Sequence, residues 1–132
     1  MEEVMFEELI QGTKAEIPVE IEFISKDGEK KVAVLKLKPL SIGELKKLRS
    51  LALARAKTEV RGNPSLKDRL DELQTEYFLY LKVAKSLIPE RGVEEIMQLP
   101  EMVFNKLLDK VNEISGLDEE TLKKLLSLQK AT

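Results

Sequence analysis

Residues 17–45, IPVEIEFISKDGEKKVAVLKLKPLSIGEL, contain the change of hydrophobic period that decides the fold. In the first seven residues, apolar side chains alternate with Pro18 and two glutamates, which is typical of a strand with one buried face. The dipeptide Asp27-Gly28 is favoured in two-residue hairpin turns, and VAVLKLK follows it as a second apolar strand. The stretch therefore predicts an antiparallel β-hairpin over residues 17–38.

The pairing of the two strands should follow from the turn. A two-residue loop would place Phe23 opposite Val32, and Ile21 would then face Val34. Because the apolar alternation shifts at residues 35–37, we expect a bulge or a change of register just after Val34. An isolated hairpin is marginal in water, so this one must pack on helices or pair with another chain.

Beyond Pro39, the apolar spacing changes to three and four residues, which predicts helices. Ser41 is followed three residues later by Glu44, a capping box that starts a helix near residue 42. A second helix is expected over 66–88, with its second half the most buried part of the domain. A short helix near 93–99 follows, and Pro100 begins the next one.

These elements predict a single α+β domain over residues 1–132, mainly helical, with about four to five helices and one N-terminal antiparallel β-hairpin. Residues 1–16 are expected to form either a short helix or a loose N-terminal arm. Residues 41–114 are expected to form the helical core. A C-terminal helix is expected over 118–130, since acidic residues fill its first turn and lysines its later ones.

The composition argues against catalysis. The chain has no cysteine and no histidine, which removes thiolate chemistry and the commonest general base and metal ligand. Charged residues make up 35% of the chain yet nearly cancel, leaving a net charge of −2. No apolar run approaches the length needed to span a bilayer, and the acidic N-terminus is unlike a signal peptide. We expect a soluble cytoplasmic protein that is not an enzyme and binds no cofactor, metal or membrane.

One segment is distinctly basic. Residues 44–61 contain six basic and two acidic side chains, and such a helix can follow a phosphate backbone. Residues 62–120, however, contain 13 acidic and 7 basic side chains, which would repel the same polyanion. A nucleic-acid-binding regulator using helix 42–61 is therefore the weaker interpretation. An acidic protein partner, which Lys46 and Arg49 would meet, or plain intramolecular pairing is the stronger interpretation.

The C-terminal helix presents four leucines on one face. It either folds back on the domain, or it is a detachable lid or a partner-binding helix that lies in a groove through the usual three-and-four spacing. The heptad pattern over 66–87 favours an intramolecular bundle, although it is also compatible with self-association. The candidate partner-binding residues are Leu122, Leu125, Leu126, Leu128, Lys46 and Arg49.

Two stretches resemble the tail assembly chaperones of long-tailed bacteriophages and related proviruses. The first, VAVLKLKPLSIGELKKLRSLA at 32–52, resembles that family's strand, Pro-Leu-Ser turn and Glu-Leu-bearing helix. The second, IMQLPEMVFNKLLDKVNEISGL at 96–117, resembles its Leu-Pro, apolar helix and Ser-Gly-Leu ending. The similarity covers roughly residues 17–118.

The resemblance implies a non-catalytic chaperone that binds the hydrophobic helical tape measure protein and leaves as tail tube subunits arrive. Such a protein would act in the host cytoplasm and be absent from the mature virion. Many members also have a longer, frameshifted form. The alternative is a small structural or adaptor subunit of a phage tail or head-tail connector, which would stay in the particle.

Overall fold

The computed structural model describes residues 6–11 and 14–115, with side chains for all of these except residues 8–10. The predicted α+β fold is confirmed, with an antiparallel β-hairpin near the N-terminus and helices after it. Residues 6–11, within the segment expected to form either a short helix or a loose arm, are helical, and the predicted helix 118–130 lies outside the described residues. The elements are α1 (Phe6–Gln11), β1 (Ile17–Ile24), β2 (Lys30–Leu37), α2 (Ile42–Gly62), a 3-10 segment (Pro64–Arg69), α3 (Leu70–Ser86), β3 (Leu87–Ile88), α4 (Val93–Ile96) and α5 (Glu101–Ile114).

The described residues form two compact units. The hairpin unit contains the residues up to Pro39 together with those from Pro100 onward, and the helical unit is Leu40–Leu99. Helix α5 packs against β1 and so belongs with the hairpin. The residues predicted to form one helical core, 41–114, are thus shared between the two units.

The hairpin turn differs from the predicted one. The Gly28 N–H donates to the Ser25 carbonyl at 2.9 Å, and the Ser25 N–H donates to the Glu29 carbonyl at 2.8 Å. The loop therefore has three residues, 26–28, and Gly28 adopts the left-handed φ of 80°. This is a type I turn followed by a left-handed glycine, the usual three-residue hairpin loop.

The longer loop moves the strand register by one residue from the predicted pairing. The inward pairs are Ile17 with Leu37, Val19 with Leu35, Ile21 with Ala33, and Phe23 with Lys31. The predicted partners Val32 and Val34 instead lie on the outer face, where they are 53% and 66% exposed. Pairing continues without a bulge, since the shift itself brings Leu37 to the buried side.

We expect Gly28→Ala to lower the free energy of unfolding by about 1 kcal/mol, because only glycine adopts a left-handed φ without strain. An added Cβ would meet no atom within 4 Å, so the cost is conformational and not steric. Urea denaturation followed by circular dichroism would measure it. Gly62→Ala is the matched control, because that site is equally open but helical, and it should gain about 0.5 kcal/mol.

The helical unit begins at the predicted capping box. The Glu44 N–H donates to Ser41 Oγ at 3.1 Å, and the Ser41 N–H donates to Glu44 Oε1 at 3.2 Å. Leu48, Ala52 and Ala56 are the buried residues of α2, which packs along α3. The three-residue spacing of Ile42, Leu45 and Leu48 predicts that Ile42 belongs to the same apolar stripe, yet Ile42 is 86% exposed.

The predicted helix 66–88 is divided at its start. Residues 64–69 form a 3-10 segment in which the Leu66 N–H donates to the Asn63 carbonyl, and the α-helix begins only at Leu70. Pro64 lacks an N–H and occupies the first position of the 3-10 segment. The second half of α3 is deeply buried, as predicted, but this burial includes the polar residues Lys82 and Ser86.

Candidate protein-binding surfaces

The predicted partner-binding residues fall in two places. The four leucines, Leu122, Leu125, Leu126 and Leu128, lie outside the described residues, so their role stays a prediction. Lys46 and Arg49 both lie on α2 and are exposed, yet they differ in their surroundings. The Arg49 guanidinium carbon is 5.4 Å from the centroid of the Phe78 ring on α3. Arg49 therefore takes part in the α2–α3 contact through a cation–π interaction.

Phe78 is contacted by a second cation. Lys82 Nζ lies 5.9 Å from the same ring centroid, and its side chain is largely buried. Burial lowers the pKa of Lys82, and the positive charge of Arg49 lowers it further. Arg49, Phe78 and Lys82 thus form an interhelical cluster, whereas Lys46 is exposed on α2.

On the opposite flank of α2, two neighbouring cavities of 440 and 520 Å³ share the side chain of Leu51. Together they form what we call the α2–α3 groove. Leu51 is 53% exposed, which is unusual for a leucine beside an apolar floor. The lining residues are Glu44, Lys47, Leu48, Leu51, Ala54, Arg55, Thr58, Glu59, Tyr77, Leu81, Ala84, Lys85, Glu90 and Arg91.

Each acidic side chain of this groove accepts a hydrogen bond or forms an ion pair within the helical unit. Glu44 accepts from the Ser41 N–H, Glu59 accepts from the Tyr77 hydroxyl at 2.5 Å, and Glu90 pairs with Lys85 at 2.8 Å. The bond to Glu90 is also the main reason that the pKa of Lys85 is raised. Among the described residues, Lys47 has no such partner.

Because of the Tyr77–Glu59 hydrogen bond, the free energy of unfolding should fall as the pH becomes alkaline. The bond, followed by burial, raises the pKa of Tyr77 to about 12 from the usual 10.0. A raised pKa favours the neutral phenol in the folded state, so this contribution is complete below pH 10 and is lost between pH 10 and 12. The expected loss is about 2 kcal/mol, since one pKa unit corresponds to about 1.4 kcal/mol and the side chain is partly solvated.

Spectrophotometric titration at alkaline pH would test this. Tyr77→Phe should remove the ionisation near 12 and flatten the fall in stability above pH 10, whereas Tyr80→Phe should leave both in place. An unchanged titration in Tyr77→Phe would show that the hydrogen bond does not hold the phenol neutral.

The hairpin unit has an apolar groove of its own, which we call the β1–α5 groove. Its cavity measures 340 Å³ and lies where the end of β1 meets the first turns of α5. Ile24 and Met102 are 69% and 70% exposed there, large values for side chains of this size. The lining residues are Glu22, Phe23, Ile24, Lys30, Pro100, Met102, Val103 and Lys106.

The free edge of β1 is less accessible to a partner than the β1–α5 groove. Because Ser25 and Glu29 form a hydrogen-bonded pair, the backbone groups of Pro18 and Glu22 point away from β2. Pro18 has no N–H to offer an added strand, and Lys106 Nζ already donates to the Glu22 carbonyl at 3.2 Å. Such features are common protection against unwanted strand pairing.

Both grooves depend on apolar residues that the main sequence periodicity leaves out. Leu51 is absent from the stripe of α2, and Met102 is absent from the stripe of α5 that runs through Val103, Leu107 and Val111. An apolar side chain just beside the buried stripe of a helix is the sequence feature that could have indicated each groove. The sequence could not show which flank of each helix its neighbours leave open.

No helix among residues 6–11 and 14–115 is long and apolar enough to cross a membrane. The same residues contain no group of three or more acidic side chains arranged to hold a metal ion. No protein-family model, no curated protein and no solved structure matches this chain.

Proposed function

We propose that the protein is a non-catalytic assembly chaperone that holds the hydrophobic helices of a phage tape measure protein during tail assembly. In this role it would act in the cytoplasm of the host, release its partner as tail tube subunits arrive, and be absent from the finished virion. The observation that carries the proposal is the exposure of Leu51, Ile24 and Met102 in two grooves with charged rims.

This arrangement suits a protein that holds another polypeptide. Exposed apolar surface can cover the partner's apolar residues, and charged residues keep the complex in solution. Each groove places lysines beside its apolar floor, and 35% of the whole chain is charged. The resemblance of residues 32–52 and 96–117 to tail assembly chaperones supports the identity of the partner.

Co-expression with the candidate tape measure protein tests the proposal. We expect most of the tape measure protein to move from the insoluble to the soluble fraction and to co-purify with this chain. The control is expression of the tape measure protein alone. If its solubility does not change and no complex forms, the proposed function is wrong.

Mass spectrometry of purified particles separates a chaperone from a structural or adaptor subunit. A chaperone that leaves during assembly should be missing from the particles, whereas tail tube subunits in the same sample serve as the positive control. Detection of this chain at the copy number of a structural protein would contradict the proposal.

A further inference from the structure

Most cations of the helical unit already have a partner within that unit. Four of them form ion pairs with glutamates, namely Arg55, Arg69, Lys85 and Arg91. Arg49 and Lys82 lie against the ring of Phe78. Among the described residues of this unit, the cations with neither an ion pair nor a ring contact are Lys46, Lys47, Lys57, Arg61 and Lys67.

Three of these unpaired cations share one face of α2. Lys46, Lys57 and Arg61 lie within about 60° of one another around the helix, because each residue advances by about 100°. All three side chains are exposed. We call this surface the α2 basic face, and its uncharged side chains are Ser50, Leu53, Ala54 and Thr58.

The carboxylates of α2 lie away from this face. Glu44 and Glu59 are the only acidic residues of the helix, and both project at least about 100° away from the three cations. No residue lining the hollow of 350 Å³ beside Lys57 and Arg61 is acidic. An incoming carboxylate would therefore meet positive charge that no neighbouring side chain of α2 offsets.

The hollow between the cations has an apolar floor. Leu53 is half-buried there, and Ala54 next to it is too small to fill the space. The Ser50 hydroxyl donates to the Lys46 carbonyl at 3.4 Å, and the Thr58 hydroxyl donates to the Ala54 carbonyl at 3.0 Å. Because both hydroxyl protons are directed at the helix backbone, the uncharged part of the hollow suits an apolar side chain.

We propose that the α2 basic face binds an acidic segment of a partner protein in which carboxylates flank an apolar side chain. One set of carboxylates would meet Lys46, and the other would meet Lys57 and Arg61, about 16 Å further along at about 1.5 Å per residue. The apolar side chain would enter the hollow between them. This inference goes beyond the proposed function, because it adds a binding surface to the two grooves.

A nucleic acid fits the same charges less well. A phosphate backbone extends past a single helix face, and the residues that follow α2 carry three exposed carboxylates with no ion pair among the described residues, those of Asp68, Asp71 and Glu76. These carboxylates would repel a long polyanion, whereas a short acidic segment need not approach them. An apolar side chain also covers Leu53 and Ala54 better than a phosphate does.

Three labelled peptides of about 15 residues test the proposal with the full-length protein in fluorescence anisotropy titrations. The first has glutamates at both ends and leucines between them, the second has serines in place of the leucines, and the third has lysines in place of the glutamates. Relative to the first, the serine peptide should bind about fivefold more weakly and the lysine peptide at least about tenfold more weakly. Higher salt should weaken the first peptide, since the cations are solvated.

A labelled single-stranded oligonucleotide of about 15 nucleotides is the fourth probe. It should bind more weakly than the first peptide at the same salt concentration, because the free carboxylates after α2 oppose it and the apolar floor gains nothing from it.

Substitutions locate the binding face. Lys57→Glu should weaken the first peptide about fivefold and strengthen the lysine peptide, and Lys57→Glu combined with Arg61→Glu should weaken the first peptide at least about tenfold. Lys67→Glu is the matched control, because Lys67 is exposed and unpaired among the described residues but lies on the 3-10 segment. Circular dichroism melting of each variant separates lost binding from lost folding.

The inference is overturned if no peptide binds, if the three peptides bind alike, or if Lys67→Glu acts as strongly as Lys57→Glu. Tighter binding of the oligonucleotide than of the first peptide would also overturn it, in favour of nucleic acid. If the wild-type chain is a dimer that Lys57→Glu converts to a monomer, the occupant is a second copy and the inference is again wrong. None of these results depends on whether the tape measure protein becomes soluble in co-expression.

Discussion

Leu37→Ala is expected to lower the free energy of unfolding by about 3 kcal/mol, the usual cost of removing a buried leucine side chain. Leu37 ends β2 with no exposed surface, so the surrounding side chains would have to collapse into the space that it leaves. Urea denaturation followed by circular dichroism measures the change, and a lower midpoint with an unchanged slope would identify it as a loss of stability.

Val34→Ala is the matched control on the same strand. Val34 is 66% exposed on the outer face of the hairpin, so its truncation should cost about 0.5 kcal/mol or less. A two-residue turn would instead pair Val34 with Ile21, and Ile21 is buried. Val34 would then lie on the buried face as well, and truncating Val34 would be costly. Equal losses for Leu37→Ala and Val34→Ala would therefore contradict the observed register.

The elements that the sequence predicts well are those set by neighbouring residues. The alternation from Ile17 to Phe23 gives a strand because successive side chains point to opposite faces. The helix after Ser41 starts where predicted because its capping box satisfies backbone donors locally. The capping box forms from neighbouring residues alone, whereas the strand also needs its pairing with β2 and its packing against α5. The type of each element therefore follows from local sequence, and the way the elements pair does not.

The register was harder to predict because Asp27-Gly28 fits two kinds of hairpin. It can form a two-residue turn, or it can close a three-residue loop with the glycine in the left-handed region. Ser25 indicates the three-residue loop, because serine is favoured at the first position of a type I turn and glycine at the fourth. A loop that is longer by one residue is enough to exchange the inner and outer faces of β2.

The candidate binding surfaces were harder still to predict, because the exposure of a side chain depends on how distant elements pack around it. The periodicity of α2 marks Leu48, Ala52 and Ala56 as buried, and the structure agrees. The same periodicity predicts that Ile42 is buried, yet Ile42 is exposed. It also leaves out Leu51, which lines a groove. Composition and spacing identify apolar side chains, but only the positions of neighbouring helices decide which of them remain open to a partner.

Ala52→Leu is expected to lower the free energy of unfolding by about 2 kcal/mol, and the melting temperature by about 5–10 °C. Ala52 and Ala56 lie one helical turn apart on α2, and neither has any exposed surface. Small side chains at this spacing let α2 approach α3 closely, so an isobutyl group would push the helices apart or force strained rotamers. Thermal unfolding followed by circular dichroism provides the measurement.

The same substitution at Ala54 is the control, because Ala54 is exposed and lies two residues away on the same helix. Leucine is nearly as good a helix former as alanine, so Ala54→Leu should change stability by less than about 0.5 kcal/mol. If Ala52→Leu were tolerated equally well, α2 and α3 would not be held together by their alanines. The width of the α2–α3 groove would then not be set by the close approach of the two helices.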